Sequence, residues 1–374
     1  MQAQYSCLLA ALCLCAFSFS QNATDKMIQS SDLGSIIGSY GEIHFNTQEG
    51  SDYSLLDVHR MVLLFGYKFS NRVTMATEIE IEHIDEVYVE QAFLNYSVNN
   101  FLNIKTGLIL SPMGIINSYH EPTTFNGVER PNVDKYIIPS TWREIGFGVH
   151  GRLLEASINY QLYMMNGFNG YDGDGGVFSG SSGLRSGRQK GAKSYMSAAN
   201  FTGRVDFYGV PNLKIGLSGY FGDSQSKTPD VDSTIVGISM FGGDMRYTLN
   251  NLELRAQYTM ISLDNTENYN LLTDNDDPIG SLLTGYYVEL GYNILANDSD
   301  NKLITFVRYE NYNTHADTEG ELEADLGYDK TETTMGLSYK VSEGAVFKVD
   351  YQIKSNALDD ESVGVLNLGI GWWF

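Results

Sequence analysis

The sequence is a succession of runs of about ten residues in which apolar and polar side chains alternate, and that period of two constrains the fold more than any other feature. Within residues 56–69, Met61, Leu63, Phe65, Tyr67 and Phe69 share one face, and Arg60, Gly66 and Lys68 share the other. Residues 72–83 set Val73, Met75, Ile79 and Ile81 against Glu78, Glu80 and Glu82. Residues 252–260 set Leu252, Leu254, Ala256, Tyr258 and Met260 against Glu253, Arg255 and Gln257, and residues 345–353 repeat the pattern. Short joins at 70–71, 98–100, around 153, 210–211, 250–251, 297–300 and 342–344 alternate with long polar joins at 48–55, 111–142, 167–196, 222–233, 264–280 and 314–330. A water-soluble sandwich has no reason to sort its loops by length, whereas a membrane meander has turns at one end and long loops at the other. The expected fold is therefore all-β: a transmembrane antiparallel β-barrel of about sixteen strands in residues 36–374. Strands are expected to start near Ile36, Leu56, Arg72, Glu86, Phe101, Arg143, Leu154, Ala198, Asn212, Ile235, Asn251, Leu282, Asn301, Thr331, Ala345 and Val363. Glu90 breaks the alternation of the fourth, and Gly242-Gly243 after Phe241 suggests a bulge in the tenth.

Composition agrees with a barrel. The 374 residues are 43% hydrophobic, yet mean hydropathy is only -0.20. Residues 8–19 form an apolar run of signal-peptide length, with Ser18 and Ser20 placed for cleavage before Gln21. Residues 1–20 are accordingly expected to be removed on export, and residues 21–35 to form a short periplasmic segment. Cys7, Cys13 and Cys15 all fall in the removed part, which leaves no disulfide, zinc-thiolate site or cysteine nucleophile in the mature chain. A formal net charge of -22 argues against nucleic-acid binding. The expected location is the cell outer membrane, with its lipid and lipopolysaccharide as surroundings.

Charged residues on lipid-facing strands cost about 2–4 kcal/mol at mid-depth, so strand charges should point into a watery lumen. That assigns Arg60, Lys68, Glu78, Glu80, Glu82, Lys105, Arg204, Arg246, Arg255 and Arg308 to the lumen lining. Residues 111–142 form the third long-side loop in this count and carry Pro112, Pro122, Pro131 and Pro139, which stiffen it. Residues 167–196 are richer in Gly and Ser and read as a mobile, solvated loop. At the C-terminus Leu366, Leu368, Ile370, Trp372 and Phe374 alternate with Asn367, Gly369, Gly371 and Trp373.

Several segments resemble a known family. Val58-His59-Arg60, Glu78 to His83, Glu90-Gln91-Ala92-Phe93, His120-Glu121-Pro122, Gly127 to Asn132 and Trp142-Arg143-Glu144 resemble outer-membrane porins related to the phosphate-selective porins O and P. The resemblance is concentrated in residues 56–151. It implies a sixteen-stranded barrel, often a homotrimer, that conducts small solutes. It also implies that the third loop folds inward to narrow the pore, and that Phe374 is the signal read by the barrel-insertion machinery. Phosphate selectivity does not carry over, because the loop lacks a dense basic run. His120, Arg130, Lys135 and Arg143 are mixed with Glu121, Glu129, Asp134 and Glu144. These eight residues are the candidate pore constriction, either setting a transverse field for polar solutes or pairing with one another to hold the loop.

The expected function is passive diffusion of small polar solutes or ions, anions such as phosphate among them, with no enzyme activity and no cofactor. One alternative is a structural or adhesive barrel with a plugged lumen. A barrel hydrolase is a weaker one, since Ser179 to Gly183 lacks the strand-to-helix setting of a nucleophile elbow. Residues 171–175 and 274–277 look like fragments of calcium loops but lack the distal Glu, so no metal site is expected. Arg185, Arg188, Lys190 and Lys193 form a basic cluster that could meet lipopolysaccharide phosphates or simply be solvated.

Overall fold

The structure is a computed structural model that describes residues 33–374 except 174, 228–231, 274–275, 296–298, 300 and 360. The expected leader and most of residues 21–35 lie outside the described residues.

Strands β1 (Gly34–Gln48), β2 (Leu55–Lys68), β3 (Val73–Glu82), β4 (Glu86–Asn99), β5 (Leu102–Leu110), β6 (Arg143–Leu153), β7 (Ile158–Met165) and β8 (Asn200–Val210) make the first half of a barrel. The second half is β9 (Leu213–Asp223), β10 (Gly237–Leu249), β11 (Leu252–Asp264), β12 (Leu282–Asn293), β13 (Lys302–Asp317), β14 (Asp329–Ser342), β15 (Ala345–Asn356) and β16 (Ser362–Trp373). Each pairs antiparallel with its sequence neighbours, and β16 pairs with β1 to close the ring. Closure leaves no unpaired sheet edge, which a bilayer would penalise severely. Among the described residues no helix is long and apolar enough to cross a membrane, so any crossing is made by strands.

Alternation sorts the side chains as the sequence requires. Met61, Leu94, Phe147, Leu217, Phe241 and Phe347 are exposed on the outside, whereas Arg60, Arg204, Asp244, Arg308, Glu310 and Asp350 are buried inside. Such a large apolar outer surface suits lipid and not water. Fifteen strands begin within two residues of the expected position. The seventh begins four residues late, because Leu154–Ala156 forms a tight 3-10 turn followed by Ser157 in the left-handed region. The bulge expected in the tenth strand is absent: β10 keeps continuous register with both neighbours through Gly242 and Gly243. A bulge does occur at Glu90, where Glu78 pairs with Gln91 and Ile79 with Val89. Both Glu90 and Gln91 consequently point inward.

The third connection at the long-loop end, L3 (residues 111–142), folds into the barrel. Met113, Ile115, Ile116, Val133, Ile137, Ile138 and Trp142 pack on inward residues of β10–β13, among them Met240, Ile261, Leu283 and Tyr312. The loop between β7 and β8, L4 (residues 166–199), covers this core with Phe168, Phe178 and Leu184, all fully buried. Trp142 stacks on Phe168 at 4.5 Å and meets Tyr220 edge-on at 5.0 Å. L4 is thus a packed lid and not the mobile loop its Gly and Ser content suggested. Its Ser179 to Gly183 stretch is held by the mutual Ser179–Gly183 backbone bonds and by Ser181 N donating to Asp277. Arg185 and Arg188 donate to the Ser140 carbonyl of L3, so these members of the basic cluster fasten one loop to the other. Of the calcium-like fragments, Asp172 accepts from Gly175 N and Asp277 from Ser181 and Tyr328; Asp174 and Asp274 lie outside the described residues.

Candidate functional site: a lumen divided by the third loop

L3 crosses the lumen and is tied to the far wall by hydrogen bonds. Ile115 N donates to Gln257, Val128 N to Asp350, Val133 N to Glu310 and Asn126 to Glu289. In the other direction, Arg204 donates to the Gly114 carbonyl and Arg255 to the Thr124 carbonyl. Asn117 closes the loop's base, accepting from Trp142 N and donating to the Ser111 carbonyl. All of these bonds but Asn126–Glu289 satisfy a backbone group that would otherwise be buried without a partner.

This crossing leaves two openings. The first, of about 590 Å³, lies at the long-loop end between L3 and the inner faces of β1–β3, β15 and β16. Its charged lining consists of Glu42, Glu82 and Glu129 opposite Arg130, Lys135, Arg185 and Lys354, with His44, His59 and His83. The second, of about 340 Å³, lies at the short-turn end under β4–β8, with Lys105, Arg152 and Asp206 as its charged residues.

A dry layer of ion pairs joins their linings. Arg60 donates to Glu42 at 2.6 Å, approaches Glu80 at 3.8 Å and also donates to the His120 carbonyl. The His120 ring lies 3.3 Å from Glu90 and 2.9 Å from the Tyr40 hydroxyl, which in turn donates to Glu90. Arg60 and Glu90 are 0% exposed and Glu42 and His120 nearly so, which sets this layer apart from the two openings. Glu42 faces the first opening, while Gln91 and Tyr119, next to Glu90 and His120 in sequence, face the second.

The eight residues expected at the constriction separate into groups. Glu129, Arg130 and Lys135 line the first opening. His120 and Glu121 are buried beside the dry layer. Asp134 is buried in the apolar core with Gln257 donating to it at 2.9 Å; burial, the dominant influence, pushes its carboxyl up to about 7. Glu144 accepts from Asn166 and from Gln189 N, and Arg143 donates to the Val89 and Thr141 carbonyls, so both fasten loops and do not face an opening. The ion pairs of the loop residues run to the wall: His44–Glu129 at 3.2 Å, Arg130–Glu42 at 3.9 Å and His120–Glu90 at 3.3 Å. Burial alone would raise the Glu129 carboxyl, but the hydrogen bond and charge of His44 hold it down to about 2.

The ten residues assigned to the lumen lining all sit on inward-facing strand positions, and several brace the wall. Arg204 bridges Asp206 and Asp244 at 2.8 and 2.7 Å, Arg308 bridges Glu289 and Glu310 at 3.4 and 3.3 Å, and Arg255 approaches Glu253 and Glu289. The acidic run is met by its neighbours: Glu80 by Arg60, Glu78 by the Gln91 amide. Lys68, Lys105 and Arg246 are half-buried, Lys105 lying over the Phe93 ring and Arg246 over the Tyr119 ring. Tyr40, Glu42 and His44 are wall residues that alternation along β1 could have flagged; Asp57 and His59 are not, because the register of β2 shifts beside them.

No protein-family model matches the chain. A protein of Aquifex aeolicus (strain VF5), described as an uncharacterized protein, is 31% identical over 360 residues, which is 91% of this chain and 80% of that one. Among solved structures, the outer membrane channel DcaP of Acinetobacter baumannii has a TM-score of 0.61 at 11% identity, covering 92% of this chain and 99% of its own. An anion-selective porin from Comamonas acidovorans has a TM-score of 0.56 at 12% identity, covering 91% and 100%. In-vitro folded OmpT of Vibrio cholerae, in trimer form, has 0.56 at 14%, covering 92% and 100%. At these identities the structural likenesses speak for the fold. The chain thus belongs to one family with the Aquifex aeolicus protein, and its fold is that of the sixteen-stranded outer-membrane porins.

Proposed function

We propose that the protein is an outer-membrane porin, a passive channel for small polar solutes that favours small anions. The observation that carries this reading is the charge of the two openings. The first has four basic and three acidic side chains and the second two basic and one acidic, although the chain as a whole is strongly acidic. A local excess of positive charge inside a low-dielectric wall concentrates anions where net charge would exclude them. Phosphate is one such anion. DcaP is named an outer membrane channel and the Comamonas protein an anion-selective porin, and both share this fold. The trimeric OmpT supports a homotrimer here as well.

The dry layer around Arg60 and His120 favours a second reading, a structural or adhesive barrel whose lumen stays closed. Planar bilayers under a KCl gradient separate the two. The porin reading expects discrete current steps with a reversal potential on the chloride side, which moves toward potassium in the Lys135→Glu, Arg185→Glu double variant. A folded barrel that passes no current supports the closed reading, and a reversal potential insensitive to that double variant contradicts the assignment of the mouth.

A further inference from the structure

Three of the chain's six histidines converge at one place on the wall of the first opening. His83 Nδ1 is 2.8 Å from Asp57 Oδ2, and His59 Nδ1 is 3.3 Å from the same oxygen. One donor atom from each of Asp57, His59 and His83 lies within 4.8 Å of the others. The His44 ring stacks on His59 at 4.5 Å, and His44 is itself held between Glu42 and Glu129.

The backbone departs from regular geometry at both ends of this cluster. Between β1 and β2, Glu42 pairs with Arg60 but His44 pairs with Asp57, so β2 carries an extra residue at Val58-His59. Without it, Asp57 and His59 would share the outward parity of Met61; with it, Asp57 shares the inward face of His44, and His59 lines the opening. In the three-residue turn after β3, His83 and Ile84 both hold positive φ, 51° and 75°. A β-branched residue rarely accepts that conformation, and here it accompanies a turn that brings His83 to Asp57.

We infer that Asp57, His59 and His83 form a binding site for a divalent transition-metal ion of the zinc, copper or nickel kind, at the long-loop mouth of the lumen. Two imidazoles and one carboxylate are the donor set that such ions prefer, whereas calcium and magnesium require oxygen ligands. The donors already converge, and an ion placed among them replaces the two hydrogen bonds that Asp57 now makes. Side-chain exposures of 29% for Asp57, 32% for His59 and 47% for His83 leave room for entry and for water in the remaining coordination positions. The stack on His44 holds the His59 ring, and Glu42 and Glu129 supply negative charge behind it.

The test is calorimetric titration of the untagged chain, refolded in detergent, with ZnCl2 and separately with CaCl2. The inference expects one zinc ion per chain and no calcium. The His59→Ala, His83→Ala double variant and the Asp57→Asn variant should bind zinc roughly tenfold or more weakly. His150→Ala, in the opposite opening, should bind like the parent. Bound copper should show nitrogen couplings in its electron paramagnetic resonance spectrum, lost in the double variant. Barrel closure of every variant is checked by circular dichroism. Absent zinc binding, or zinc binding unchanged in a folded double variant, overturns the site. Calorimetry reads binding whether or not the barrel conducts, so this result stands apart from the porin reading.

Discussion

The arc β10–β13 and the arc β1–β4 are built from the same alternating pattern, yet L3 meets their inner faces differently. On β10–β13, Ile238, Met240, Ile261, Leu263 and Leu283 point inward and form a protein core with L3. On β1–β4 the inward residues include Glu42, His44, Arg60, Glu78, Glu80 and Glu90, and L3 meets three of them through the ion pairs Glu129–His44, Arg130–Glu42 and His120–Glu90. Register is interrupted in both arcs: β1–β2 and β3–β4 each contain a bulge, and β12–β13 shifts between Leu282 and Thr284. L3 thus has an apolar side glued to one arc and a polar side facing the other. A barrel interior is not one environment; the inserted loop decides which arc is core and which borders an opening.

The sharpest way to break this asymmetry is to remove the apolar anchor. Trp142→Ala should cost about 3–5 kcal/mol of L3 docking, by the usual price of a large aromatic truncation. Protease cleavage within residues 111–142 and a severalfold rise in single-channel conductance should both follow; unchanged conductance and cleavage would mean that L3 is held by its polar bonds alone.

A smaller effect is expected from Asp134, the one carboxyl of L3 that sits on the apolar side. Its carboxyl is raised from an ordinary 3.8 to about 7, so the docked loop holds this proton more tightly than the free loop does. Docking is therefore firmest below about pH 4 and weakens as pH climbs through 7. Cleavage of L3 should be faster at pH 8 than at pH 6, and Asp134→Asn should remove most of the difference. A pH dependence that survives the substitution would assign it to another group.

What the sequence made legible follows the same divide. Alternation and loop length located the strands and set the limits of L3 at residues 111–142, because a membrane wall imposes period two throughout. Strict alternation also concealed the cluster at Asp57 and His59, since one extra residue in β2 reverses the faces and leaves no mark in composition. L4 misled for a different reason: its many Gly and Ser residues outnumber Phe168, Phe178 and Leu184, but those three determine where it packs. Asp134 and Glu144 looked like channel charges, and only tertiary packing reveals that they are buried among loops.

The central claim, that L3 leaves a solvent-accessible opening on the β1–β3 side and a dry core on the β10–β13 side, can be measured with single cysteines. Cys7, Cys13 and Cys15 are the chain's own cysteines, and all lie within residues 1–20, outside the described residues. Lys135→Cys and Ile261→Cys are each exposed to a charged methanethiosulfonate while current is recorded. The account predicts rapid modification and a stepwise loss of current at position 135, with no reaction at 261. Equal reactivity at both positions, or reaction at 261 alone, would contradict it.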